Sequence, residues 1–147
     1  MKQLLRVAAV AVALVLSACS VYSGSVTSDV VERALDASVL VERVGESGHG
    51  SGTIIQSDGV ILTAAHIVGD ARDFVVTLSD GRKFPGTIMM KSIVSDLAVI
   101  GIEATGLPFA KIGEPAQIGQ SILVVGNPFN MLGSVSLGHV ALTDYEA

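Results

Sequence analysis

The sequence predicts an all-β fold built around a small antiparallel barrel, and two observations carry that prediction. From residue 38 onward, short runs rich in valine and isoleucine alternate with clusters of Gly, Asp, Ser and Pro, the pattern of strands joined by turns. Half of the residues are hydrophobic, yet tryptophan is absent and only four phenylalanines occur, so we expect an aliphatic core. Six short runs at this spacing suit a small closed barrel.

Each element is predicted in turn along the chain. A short helix is expected over residues 29–35, with Asp29 near its N-terminus. The six barrel strands are expected at residues 39–44, 53–56, 60–63, 74–78, 83–91 and 97–102. Residues 79–82 (SDGR) predict a tight turn, and Pro85 indicates an edge position or a bulge in the fifth strand. The glycine-rich residues 48–52 precede a strand and do not join a strand to a helix, so we interpret them as a flexible segment leading into the barrel.

A second, shorter group of strands follows the barrel. Residues 103–120 contain Pro108, Pro115 and several glycines and are typical of a connector, whereas residues 121–125 and 135–142 predict two more strands. We interpret these strands as a second barrel that is only begun. The predicted organisation is a signal peptide at 1–18, a tether and short helix at 19–37, the first barrel at 38–102, the connector at 103–120 and the partial second barrel at 121–147.

The N-terminus has the three parts of a secretory signal. Lys2 and Arg6 precede an apolar stretch at residues 7–15, and residues 16–19 (LSAC) have the small residues of a cleavage site. The apolar stretch is shorter than the roughly 20 residues that span a bilayer. The LSAC sequence resembles the lipobox of bacterial lipoproteins, which implies that Cys19 is lipidated and anchors the protein to a membrane. Ser20 favours the outer membrane by resemblance to enteric sorting rules; an ordinary signal peptide is the alternative.

Charge and composition exclude several kinds of partner. The formal net charge is −5, and removal of residues 1–18 leaves seven basic against 14 acidic residues. This balance argues against a nucleic-acid partner, which requires clustered Lys and Arg. Cys19 is the only cysteine, so no disulfide is expected. His49, His66 and His139 are scattered without metal-ligand spacing, and we expect neither a metal nor a cofactor.

Two residues are candidates for acid–base chemistry. His66 lies just after the predicted strand at residues 60–63, separated from it by Ala64 and Ala65, and Asp96 directly precedes the strand at residues 97–102. A histidine near neutrality can take and return a proton, and a carboxylate can hold its ring in the required tautomer. Taken alone, such a histidine is more often a surface residue and such an aspartate a turn former. The neighbouring motifs change that balance.

Five motifs occur in order along the chain. They lie at residues 50–55 (GSGTII), 61–68 (ILTAAHIV), 78–84 (LSDGRKF), 95–100 (SDLAVI) and 124–129 (VVGNPF). Together they resemble the trypsin-like serine proteases of the HtrA/Deg type, over roughly residues 38–143. The resemblance implies a chymotrypsin-like fold of two barrels, with His66 as general base and Asp96 as orienting acid. It also implies a nucleophilic serine, oxyanion-hole amides and a specificity pocket on the second barrel.

The serine that this resemblance requires does not occur in the 147 residues. No Gly-Asn/Asp-Ser-Gly-Gly sequence is present, and Ser134 and Ser136 match a strand of the relatives rather than the nucleophile. We therefore expect a truncated or incomplete envelope protease, inactive alone, that acts on unfolded or peptide substrates when completed. Two alternatives stay open: a non-catalytic lipoprotein that uses the barrel as a binding module, and one half of a split protease. A homo-oligomer is also left open.

Overall fold

The computed structural model describes residues 26–128 and 131–143. In that part of the chain the elements follow one another as α1 (Ser28–Asp36), β1 (Ser38–Arg43), β2 (His49–Gln56), β3 (Val60–Ala64), α2 (Ala65–Val68), β4 (Asp73–Thr77), β5 (Lys83–Ser92), β6 (Leu97–Ile102), β7 (Ser121–Gly126) and β8 (Ser134–His139). The predicted signal peptide and Cys19 lie outside the described residues.

Strands β1 to β6 close into an antiparallel barrel in the order β1-β2-β3-β6-β5-β4. The closing pair is β1 with β4, where Val41 lies opposite Val76. Because each of these six strands has two neighbours, the barrel has no unpaired edge along its wall. The prediction of an all-β fold with a complete first barrel is thereby confirmed.

The barrel interior is aliphatic, as the composition predicts. Its largest fully buried side chains are Val39, Val41, Ile54, Ile61, Val68, Val76, Ile100 and a single aromatic residue, Phe74. Burial of each such side chain contributes roughly 1.5–3 kcal/mol to the free energy of folding. This closely packed interior gives the strand ends a rigid base from which loops can position functional groups.

The glycine-rich segment differs from the prediction. Residues 49–52 belong to strand β2, which begins at His49 and pairs with β1, so the expectation of a flexible segment is wrong there. A Cβ atom at Gly52 would lie 2.8 Å from Ile61 Cγ2, and one at Gly50 would lie 2.6 Å from Ile67 Cδ1. The glycines therefore serve close packing inside an ordered strand, a role that composition alone does not distinguish from flexibility.

Strand β5 contains a proline and a bulge. Pro85 pairs with Val75 of β4 but lies beyond the last pair with β6, which joins Gly86 to Ile102. The position is thus an edge with respect to β6, where a missing N–H is tolerated. The irregularity of the β5–β6 ladder lies further along, between Ile88 and Met90.

A separate two-stranded sheet follows the barrel. Strands β7 and β8 are antiparallel, with Ser121 opposite His139 and Gly126 opposite Ser134, and β8 ends three residues earlier than predicted. Within the described residues, the second barrel is represented by these two strands alone. Within residues 26–128 and 131–143, no helix is long and apolar enough to cross a membrane.

Candidate active site

His66 lies on a one-turn helix at the end of the barrel. Strand β3 ends at Ala64 and the chain turns directly into α2, which the sequence did not predict. Ala65 and Val68 are buried at 6% and 0% exposure and fix the turn to the barrel. The His66 side chain points the other way, with 66% of its surface exposed.

Asp96 lies in the turn between β5 and β6 with a backbone φ of +50°. It is the one residue other than glycine with a positive φ in the described part of the chain. Aspartate tolerates this left-handed region better than most residues. The Asp96 N–H donates to the Ile93 carbonyl at 3.3 Å, and the hydroxyl of Ser95 donates to that of Ser92 at 2.8 Å. These contacts hold the turn in the shape that presents the carboxylate.

The register of β3 against β6 brings the two candidates together. Ala64, at the end of β3, lies opposite Leu97, at the start of β6. His66 lies two residues after Ala64, and Asp96 directly precedes Leu97. The pairing of β3 with β6 therefore brings two residues that are 30 positions apart in sequence to the same end of the barrel.

The carboxylate of Asp96 contacts both the ring and the backbone of His66. His66 Nδ1 lies 2.6 Å from Asp96 Oδ2, and the His66 N–H donates to Asp96 Oδ1 at 2.9 Å. The Ala65 N–H donates to the Asp96 carbonyl at 3.1 Å. Asp96 thus binds the first two N–H groups of a helix whose N-cap residue, Ala64, supplies no side-chain hydrogen bond.

This contact sets the protonation of the pair. The hydrogen bond from the His66 side chain, followed by that from the His66 backbone N–H, lowers the pKa of Asp96. An ionised carboxylate can only accept hydrogen bonds, so Nδ1 must carry the proton. In the neutral ring, Nε2 is then the acceptor, and it has no hydrogen-bond partner among residues 26–128 and 131–143. The arrangement leaves His66 able to take a proton from a group placed at Nε2.

No serine in the described residues occupies that place. Ser134 and Ser136 lie on the exposed strand β8, and neither hydroxyl bonds to His66. The hydroxyls of Ser38 and Ser51 accept hydrogen bonds from Asn127, from its side chain and its backbone N–H respectively. The side chains of both His66 and Asp96 are more than half exposed.

Comparison with known proteins shows the family to which the chain belongs. The family described as "Trypsin-like peptidase domain" matches residues 50–146. The chain belongs to the trypsin-like peptidases. Its relatives are of the HtrA/Deg type, as the five motifs predict. HhoA of Synechocystis sp., named as a serine protease, is 44% identical over 99 residues, and the serine endoprotease DegS of Salmonella typhimurium is 37% identical over 97 residues.

A solved structure supports the same family. The serine endoprotease from Yersinia pestis has a TM-score of 0.71 and 34% sequence identity, over 76% of this chain and 43% of that chain. The matches to HhoA and DegS cover 65% and 64% of this trypsin-like chain, but 25% and 27% of those proteins. The chain thus spans about a quarter of the length of these relatives.

The sequence did not predict two contacts of the structure, one beside His66 and one between the barrel and the β7–β8 sheet. Lys91, on β5, donates from Nζ to the Gly69 carbonyl at 2.6 Å, directly after the helix that carries His66. Asn127 is 2% exposed and joins the barrel to the β7–β8 sheet. Nothing in the sequence around Lys91 indicates such a contact. Asn127 lies in the fifth motif, which was a signal that its side chain could have a structural role. In the described residues no group of three or more His, Cys, Asp or Glu side chains could hold a metal ion.

Proposed function

We propose that His66 and Asp96 are the general base and the orienting acid of a serine endopeptidase that hydrolyses peptide bonds. The observation that carries this proposal is the 2.6 Å contact between Nδ1 and Oδ2, which leaves Nε2 without a partner in the described residues. Membership in the trypsin-like peptidases supports the same chemistry. The nucleophilic serine would come from a segment outside the 147 residues, either later in the same polypeptide or on a second chain.

In this mechanism the chain supplies the proton-handling half of the site. Nε2 of His66 takes the proton of the serine hydroxyl as the oxygen attacks the peptide carbonyl, and returns it to the leaving amine. Asp96 holds the Nδ1–H tautomer and stabilises the imidazolium that forms, while it remains ionised itself. Its lowered pKa suits that role. The oxyanion donors and the specificity pocket would accompany the serine on the second barrel.

The test uses a fluorophosphonate probe, which labels only an activated serine. Three samples are compared: the 147-residue chain purified alone, the protein recovered from its own cells with an antibody against the barrel, and the same recovered protein carrying His66→Ala. We expect labelling in the second sample only, lost on heating. The mass of the labelled polypeptide then shows whether the serine lies on the same chain or on a second one.

Two outcomes would contradict the proposal. Labelling of the purified 147-residue chain would refute a nucleophile outside these residues. No labelling of the recovered protein would refute the proteolytic role and favour a lipoprotein that uses the barrel for binding. The His66→Ala protein should fold as the wild type does, because the side chain is largely exposed. Its thermal midpoint is measured as the control.

We further propose that the protein acts in the cell envelope, lipid-anchored through Cys19 and facing the periplasm. The signal sequence and the LSAC residues support this location. A DegP-like relative from Chlamydia muridarum, 39% identical over 94 residues, is named as a periplasmic serine endoprotease. Labelling with radioactive palmitate should mark the wild type and not a Cys19→Ser variant. Equal labelling of the two, or recovery of unlabelled wild type in the soluble fraction, would refute the anchor.

A further inference from the structure

Helix α2 is too short to hold His66 by its own hydrogen bonds. It has four residues and no side-chain cap at Ala64, and its C-cap N–H, that of Gly69, bonds back to the Ala65 carbonyl. A single turn of helix is unfavourable in isolation, because several backbone angles are fixed for one hydrogen bond. Contacts from elsewhere in the fold must therefore keep the turn in place.

One hairpin contacts both ends of this turn. At the start of α2, Asp96 accepts from the N–H groups of Ala65 and His66. At its end, Lys91 Nζ donates to the Gly69 carbonyl at 2.6 Å. Lys91 and Asp96 are five residues apart, Lys91 near the end of β5 and Asp96 at the end of the β5–β6 turn. The histidine thus lies between two contacts that originate from the same hairpin.

A bulge in β5 directs Lys91 toward the helix. Ile88 pairs with Ile100 and Met90 with Val99, so Met89 is the extra residue. Past this irregularity Lys91 lies opposite Ala98, which is 1% exposed and faces the barrel interior. Side chains opposite each other in a ladder share a face. If β5 continued its regular alternation from Ile88, with Met89 and Met90 on opposite faces, Lys91 would point outward.

Of the two contacts of Lys91, the hydrogen bond to the Gly69 carbonyl is the stronger one. Its side chain is only 25% exposed, whereas its other partner, Asp70, is fully exposed at 3.6 Å. A pair of that kind contributes little to stability. A positive charge near the C-terminus of a helical turn is favourable, and Gly69, the residue that follows α2, has a φ of +57°.

We propose that Lys91 is a positioning residue for His66: with Asp96 it holds α2 at both ends and so fixes where Nε2 points. The inference rests on the proposed role of His66 as general base. Its test reads the geometry of His66 in the 147-residue chain and requires no peptide-bond hydrolysis. A failure of the proteolytic proposal and a failure of this one are therefore separate results.

The experiment compares Lys91→Met, Lys91→Arg and the control Lys83→Met, which alters the first residue of the same strand. NMR follows the His66 Nδ1–H resonance and the exchange rates of backbone amides. Lys91→Met removes the hydrogen bond from the charged Lys91 side chain to the Gly69 carbonyl, and hydrogen bonds to charged groups are among the stronger ones. Because α2 then loses its contact at one end, we expect the His66 amide to exchange at least about fivefold faster. The Nδ1–H resonance should broaden or disappear.

Amides of the barrel core, such as those of Ile61 and Val76, should keep their exchange rates in Lys91→Met. Lys91→Arg should restore the His66 signals because a guanidinium can also donate to the Gly69 carbonyl, and Lys83→Met should leave them unchanged. Unchanged His66 signals in Lys91→Met would overturn the proposal. So would an equal rise in exchange throughout the barrel, or the same loss of signal in the arginine variant.

Discussion

The buried side chain of Asn127 links the barrel to the turn between β7 and β8, and its removal gives a sharp prediction. Asn127 Nδ2 donates to Ser38 Oγ at 3.0 Å, and the Gly133 N–H donates to Asn127 Oδ1 at 2.9 Å. The Asn127 backbone N–H also donates to Ser51 Oγ at 2.7 Å. The substitution Asn127→Ala removes the first two hydrogen bonds and keeps the third.

The expected loss follows from these contacts. Each neutral hydrogen bond contributes about 0.5–1.5 kcal/mol to the free energy of unfolding, so the two together contribute about 2 kcal/mol. Ser38 is only 6% exposed and would lose a partner, which adds to the cost. An open cleft lined by Leu35, Asp36 and Leu132 adjoins the site and lets water replace part of the lost bonding. We therefore expect a loss of about 2 kcal/mol.

Urea unfolding of the full chain measures this loss, and hydrogen exchange locates it. Exchange should rise most at the β7–β8 amides, because the substitution releases the sheet from the barrel. Ser134→Ala, at an exposed position of β8, is the control and should change stability by less than about 0.5 kcal/mol. A loss below about 0.5 kcal/mol in Asn127→Ala, or exchange that rises equally in the barrel, would refute the reasoning.

Two further predictions concern the barrel and the His66–Asp96 pair. Hydrogen bonds from His66 lower the pKa of Asp96 in the folded protein, so its charge stabilises the fold above about pH 4 and that contribution is lost as the pH falls through the lowered pKa. The stability difference between wild type and Asp96→Asn, measured by thermal unfolding, should therefore shrink from pH 6 toward pH 2.5; a constant difference would contradict the assignment. Gly52→Ala places a Cβ 2.8 Å from Ile61 Cγ2 and should cost about 1–3 kcal/mol by overpacking. At Gly113 a Cβ meets nothing within 4 Å, so an unchanged midpoint for Gly113→Ala and a lowered one for Gly52→Ala are expected, and equal midpoints would refute the packing argument.

Local sequence pattern was enough to predict most of the barrel. The six runs of apolar residues between turn formers correspond to β1 to β6, because alternation and turn chemistry act over a few residues and are visible in the chain. The exception is β2, whose first residues are glycine-rich. There the strand depends on contacts with Ile61 and Ile67, which lie in other elements and leave no local pattern.

The candidate pair was also visible in the sequence, since His66 and Asp96 flank strands and lie in recognisable motifs. Their 2.6 Å contact, the left-handed backbone of Asp96 and the hold of Lys91 on Gly69 were not. Nor was the part played by Asn127, whose partner Ser38 is 89 residues away. Each of these contacts arises where closure of the barrel brings distant segments to one place. Composition and periodicity predict the strands, but the register between strands sets which side chains meet.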